Sequence, residues 1–131
     1  MKRILVPSSS PFAEKLGFSR AVRVENFVSV GGTAPMDENG KTVGVGDPAS
    51  QTRRCLETIR AALAEAGCSL NDVVRTRMLL TNIEDWQEVA KVREEYFKDI
   101  RPVDTVMEVS KFINPEWLVE IEVDAVVQDS D

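Results

Sequence analysis

A chain of 131 residues, 43% apolar and 29% charged, has the size of one domain that buries a single core without metal or disulfide staples, and residues 1–131 are expected to form one unit. Its formal net charge of −6 repels phosphate backbones, so a broad nucleic-acid surface is not expected. The sequence contains no histidine, the commonest zinc ligand and general base, and its two cysteines, Cys55 and Cys68, lack CxxC spacing, so neither a metal nor another cofactor is expected. The first six residues, Met1-Lys2-Arg3-Ile4-Leu5-Val6, hold too few apolar positions before Pro7 for a signal peptide. The expectation is a cytoplasmic protein without membrane contact, both thiols reduced.

The apolar start reads as an edge strand, closed by the Ser/Pro-rich stretch from Pro7 to Pro11, which cannot carry a helix. Two β-branched runs, Val22/Val24 and Val28/Val30, flank Glu25-Asn26, and the tolerance of asparagine for positive φ predicts a hairpin there. Asp37-Glu38-Asn39-Gly40 is a second turn, and Gly44 and Gly46 mark a loop. Asp47-Pro48 then starts a helix, since aspartate can accept the free amide hydrogens and proline misses none at the first helical position. Its stripe of Thr52, Cys55, Leu56, Ile59, Ala62, Leu63 and Ala66 is one apolar face, closed by Gly67, and it makes Cys55 a core thiol. Arg75 to Thr81 predicts a strand, and Glu84-Asp85 opens a second helix carrying Trp86, Val89, Ala90, Val92, Tyr96 and Phe97 up to Pro102. Val103–Val109 and Leu118–Val127 complete the order ββ(β)αβαββ, an α+β fold with a mixed β-sheet and two helices packed on one face. Trp86 and Trp117 are expected to be packing anchors.

Chemistry-bearing residues concentrate on the last strand, where Glu120, Glu122 and Asp124 share a face. Arg75 and Arg77 share a face of an earlier strand, so a cross-strand charge ladder is the first expectation for these acids, with Glu120 held open as an acid/base group. Gly31-Gly32 follows a strand with no third glycine and no helix start, which fails every nucleotide-binding fingerprint and leaves a bulge or a close approach to a small ligand. Ser8-Ser9-Ser10 lacks a partner base and reads as a solvated turn.

The hairpin, Gly31-Gly32-Thr33-Ala34-Pro35, Gln51-Thr52, Ala66-Gly67 and the closing strand, in this order, resemble the RidA/YjgF (reactive intermediate deaminase) family over about residues 17 to 127. The closest pieces are Phe18-Ser19-Arg20-Ala21-Val22, Leu56-Glu57-Thr58-Ile59, Asp72-Val73-Val74-Arg75-Thr76, Arg101-Pro102-Val103 and Val119-Glu120-Ile121-Glu122. The resemblance implies a homotrimer with sheets facing inward, small-molecule clefts between subunits, and cofactor-free hydrolysis of enamines and imines. It matches Glu120 to the family's acidic catalytic residue, and puts Asp104 where the deaminases carry the arginine that holds the substrate carboxylate. Phe18 stands in place of a tyrosine, Gly31 in place of a small polar residue and Ala90 in place of an asparagine. Phe18, Arg20, Gly32, Ala90, Thr105, Val106 and Met107 are the implied substrate-binding positions, with Glu120 and Asp104 as the catalytic pair. A carboxylate at position 104 would repel an anionic substrate, so the implied ligand is a neutral or cationic metabolite. The competing readings are a metabolite-sensing module without catalysis and, disfavoured by the charge, a ribonuclease or translation inhibitor.

Overall fold

The computed structural model describes residues 2–128. In chain order the elements are β1 (Arg3–Val6), α1 (Ala13–Leu16), β2 (Ala21–Val24), β3 (Phe27–Thr33), α2 (Pro48–Glu65), β4 (Val73–Leu80), α3 (Trp86–Phe97), β5 (Val103–Glu108) and β6 (Val119–Val126), with 3₁₀ turns at Leu70–Asp72 and Ile83–Asp85. The six strands form one sheet in the order β1-β2-β3-β6-β4-β5, in which only the β4–β5 pair is parallel. This is the mixed-sheet α+β fold expected, and β1 is an edge strand.

Alternation decides the two sides of the sheet. Val28, Val30, Met78, Leu80, Val119, Ile121, Val123 and Ala125 are fully or almost fully buried and form one core with Cys55, Leu56, Ile59 and Leu63 of α2 and Val89, Val92 and Phe97 of α3. The residues between them face away from the helices. α2 begins where expected, the Asp47 carboxylate accepting from the amides of Ala49 and Ser50, and it ends before Gly67, whose φ is +82°.

Two local expectations need correction. The two-residue β2–β3 hairpin puts Glu25, not Asn26, in the left-handed region, at φ +54°, and the Arg23 Nε–H holds the Glu25 carbonyl at 2.7 Å. Trp86 is about half exposed, because the chain enters α3 through the 3₁₀ turn and the indole lies off the buried Val89/Val92 side. Trp117 is partly buried, its indole N–H without a partner among the described residues. The α1 turn was not foreseen.

Candidate functional site

The site begins with a break in the β3–β6 ladder. Val30 pairs with Val123 and Thr33 with Ile121, so Gly31 and Gly32 together stand against the single residue between those partners, which is a β-bulge. The Gly31 N–H donates to the Arg20 carbonyl at 3.0 Å and the Thr33 hydroxyl to the Gly31 carbonyl at 2.8 Å, which fixes the extra residue. The Glu120 carboxylate lies directly over Gly32: a Cβ there would stand 2.8 Å from Oε1. Gly32 is therefore the residue that lets the Glu120 carboxylate approach so closely, and of the two sequence readings of the glycine pair the bulge is the one observed.

The three acids of β6 separate sharply. Glu122 is bound to Arg77 at 2.8 Å, and Asp124 accepts from the Ser29 hydroxyl at 3.0 Å. Glu120 alone accepts no hydrogen bond and forms no ion pair among the described residues. Burial, with Glu122 adding repulsion, pushes its carboxyl above the ordinary glutamate range, while the Arg20 guanidinium opposes the shift. Of the charge ladder expected from the sequence, one rung exists, Arg77–Glu122; Arg75 forms no ion pair among the described residues, and Glu120 is outside it.

Arg20 is itself under-used. Its guanidinium is partly buried, which lowers its pKa, and it donates only to the Gly32 carbonyl and the Ser8 hydroxyl, both at 3.4 Å, long for such bonds. Among the described residues no carboxylate lies within 4.0 Å of it. Phe18, about half exposed, stands two residues before it. Cys55 is fully buried, with its thiol directed at the Val119 carbonyl and its pKa raised by burial, as befits a core residue.

The other expected site residues lie elsewhere. Asp104 accepts from the Thr76 hydroxyl at 2.8 Å and pairs with Arg93 Nε at 3.5 Å, while Arg93 also donates to Thr76 Oγ1 and to the Pro102 carbonyl and stacks on the Phe97 ring. Val106 packs against the core on the helix-covered side, and Ala90 is half-buried on α3, one turn before Arg93. Thr105 and Met107 point to the uncovered side with Arg77 and Leu79. Glu120 shares a rung with Leu79 and, across β4, Met107, whereas Asp104 pairs with Thr76. That places Asp104 two strands across and three residues along from Glu120, about 10 Å in each direction, on the opposite face. One small molecule cannot touch both within a single chain. Arg93 was missed from the sequence, although a lone cation three residues after Ala90 on a helix face was the available signal.

Among the described residues no cluster of three or more His, Cys, Asp or Glu side chains is arranged to hold a metal, and no helix is long and apolar enough to cross a membrane. These features define a small α+β protein with one unpartnered carboxylate over a glycine bulge and a second polar cluster on the far strand. The chain belongs to the endoribonuclease L-PSP family, whose model matches residues 9–127, the family that the sequence resembles under the name RidA/YjgF. It is 38% identical over 120 residues to the 3-aminoacrylate deaminase RutC of Acinetobacter baylyi, covering 92% of this chain and 94% of that protein. An uncharacterized protein of Streptomyces coelicolor is also 38% identical, with 92% and 89% covered. The crystal structure of Rv2704 from Mycobacterium tuberculosis, a member of the YjgF/YER057c/UK114 family, superposes with a TM-score of 0.88 at 45% identity, over 96% of this chain and all of that one.

Proposed function

We propose that this protein is a cofactor-independent hydrolase of small enamines or imines, working in the cytoplasm as a homotrimer whose reaction clefts lie between subunits. Each cleft joins the Glu120 wall of one copy, with Phe18, Arg20 and Gly32, to the open β5 edge of a neighbour, where Asp104, Thr105, Val106 and Met107 follow one another beside Ala90. The observation that carries the reading is the isolation of Glu120: its two neighbours on β6 are spent on ion pairing and hydrogen bonding, and it alone is left free over Gly32. The separation of the two walls within one chain supports a cleft completed by another copy.

The chemistry needs one carboxylate and one water. Glu120 takes a proton from water as the water oxygen bonds to the imine carbon, and passes that proton to the imine nitrogen. The resulting carbinolamine then breaks its C–N bond as the hydroxyl proton moves through Glu120 to the nitrogen, releasing ammonia and leaving the carbonyl product. An enamine enters the same path after protonation at carbon. General-base assistance of this kind contributes about 10²–10⁴-fold.

Asp104 occupies the position at which the family's deaminases hold the substrate carboxylate, and its negative charge is anchored by Thr76 and Arg93. Imines bearing a carboxylate are therefore poor substrates, and neutral or cationic imines are preferred. The test generates neutral imines with an amine oxidase and 2-imino acids with an amino-acid oxidase, and follows imine loss. Faster loss of the neutral imines, reduced about a hundredfold or more in Glu120→Gln, is expected. Equal or better turnover of the 2-imino acids, or full activity in Glu120→Gln, contradicts the reading.

A further inference from the structure

Beside α2 the chain forms a cleft of about 440 Å³ between that helix, the segment around Ser9 and the loop from Ala34 to Glu38. Arg20 lines it, and the same guanidinium donates to the Gly32 carbonyl, so one side chain is shared between this cleft and the Glu120 wall. The facing turns of α2 contribute Thr58, Ala61 and Glu65.

The charges of the cleft reduce to one pair. Asp37 accepts from the Asn39 and Lys41 amides, Glu38 pairs with Arg54, and Glu57 accepts from the Tyr96 hydroxyl and pairs with Arg60. Arg54 is further committed to the Met36 carbonyl. Apart from Asp37, whose carboxylate is held by backbone amides, two charged groups in the lining have no charged partner among the described residues: Arg20, with most of its five donors unused, and Glu65. A partly buried guanidinium that has given up water without gaining a carboxylate is an incomplete arrangement, completed by a ligand that brings one. A simple anion would face the four carboxylates of the lining, whereas a ligand carrying both signs satisfies Arg20 and Glu65 together.

We propose that this outer cleft is a second small-molecule site, for a zwitterion with a carboxylate beside an ammonium group, the form of a small α-amino acid at neutral pH. Arg20 receives the carboxylate and Glu65 the ammonium. The inference does not depend on imine hydrolysis, and its test uses no turnover.

The test titrates the intact protein with glycine, acetate and methylamine at constant ionic strength, following backbone amide resonances. Glycine saturates, moves the amides of the Thr58–Glu65 stretch, and binds at least about tenfold more tightly than either single-charge probe. Arg20→Gln and Glu65→Gln each weaken glycine binding about tenfold, and Ala61→Phe, a change at an exposed helix position that fills the cleft while leaving both charges, abolishes it. Glycine no tighter than acetate, binding that survives Ala61→Phe, or the absence of shifts in the Thr58–Glu65 stretch overturns the proposal.

Discussion

Glu120 and Glu122 sit two residues apart on one strand face, yet only Glu122 has a cation, and this asymmetry has a measurable cost. Because the folded chain raises the Glu120 pKa, it binds that proton more tightly than the unfolded chain does. Stability is then lost as pH rises from the ordinary glutamate range, about 4.3, through the raised folded value. Glu120→Gln removes this loss, so thermal melts at pH 7 should show the variant more stable than the wild type, with the gain disappearing below about pH 4. Arg20→Gln acts in the opposite sense by removing the cation that offsets the shift, and the Glu120 carboxyl, followed by side-chain NMR, should titrate at higher pH. Cys55 belongs to the same scale: buried and held to the Val119 carbonyl, it should resist a thiol reagent in the native protein and react only on unfolding.

At the scale of elements, the sequence was most legible where a period runs for several residues. The alternation of β6 and the apolar stripe of α2 predicted both elements to within a residue or two, because burial on one side fixes the pattern. The four-residue α1 turn is too short to carry a period, and the left-handed residue of the β2–β3 hairpin is Glu25 because Arg23 fixes its carbonyl, a contact no propensity encodes. Glu120, Gly32 and Arg20 could be named from the sequence, and the structure brings these three together. Asp104 was named too, but its joining with Thr76 and Arg93 was not legible, since the three come from β5, β4 and α3 and meet only through packing. In Gly32→Ala the new methyl meets the mobile end of Glu120 rather than backbone, so stability should change by less than about 1 kcal/mol. The displaced carboxylate should lower turnover about a hundredfold, because a shift near 1 Å suffices for a loss of that size. Denaturant unfolding and imine turnover measured on the same sample check both halves.

For the whole molecule, one side of the sheet is covered by α2 and α3, and the other carries exposed Leu5, Phe27, Val103, Met107 and Val126 beside the Arg77–Glu122 rung. An apolar, charge-patterned sheet face of this extent marks an interaction surface, and the proposed homotrimer would bury it. Sedimentation should give a mass near three chains, and a stable monomer at micromolar concentration would leave the two walls of the site unable to meet. The most direct test is complementation between two damaged chains. Glu120→Gln disables one wall and Ala90→Phe obstructs the other, so each variant alone should be nearly inactive toward neutral imines. Refolded together into mixed trimers, they should regain a substantial fraction of wild-type activity, because an Ala90→Phe chain still supplies Glu120 and a Glu120→Gln chain still supplies an open β5 wall. Mixed trimers no more active than the separate variants would contradict a site shared between copies.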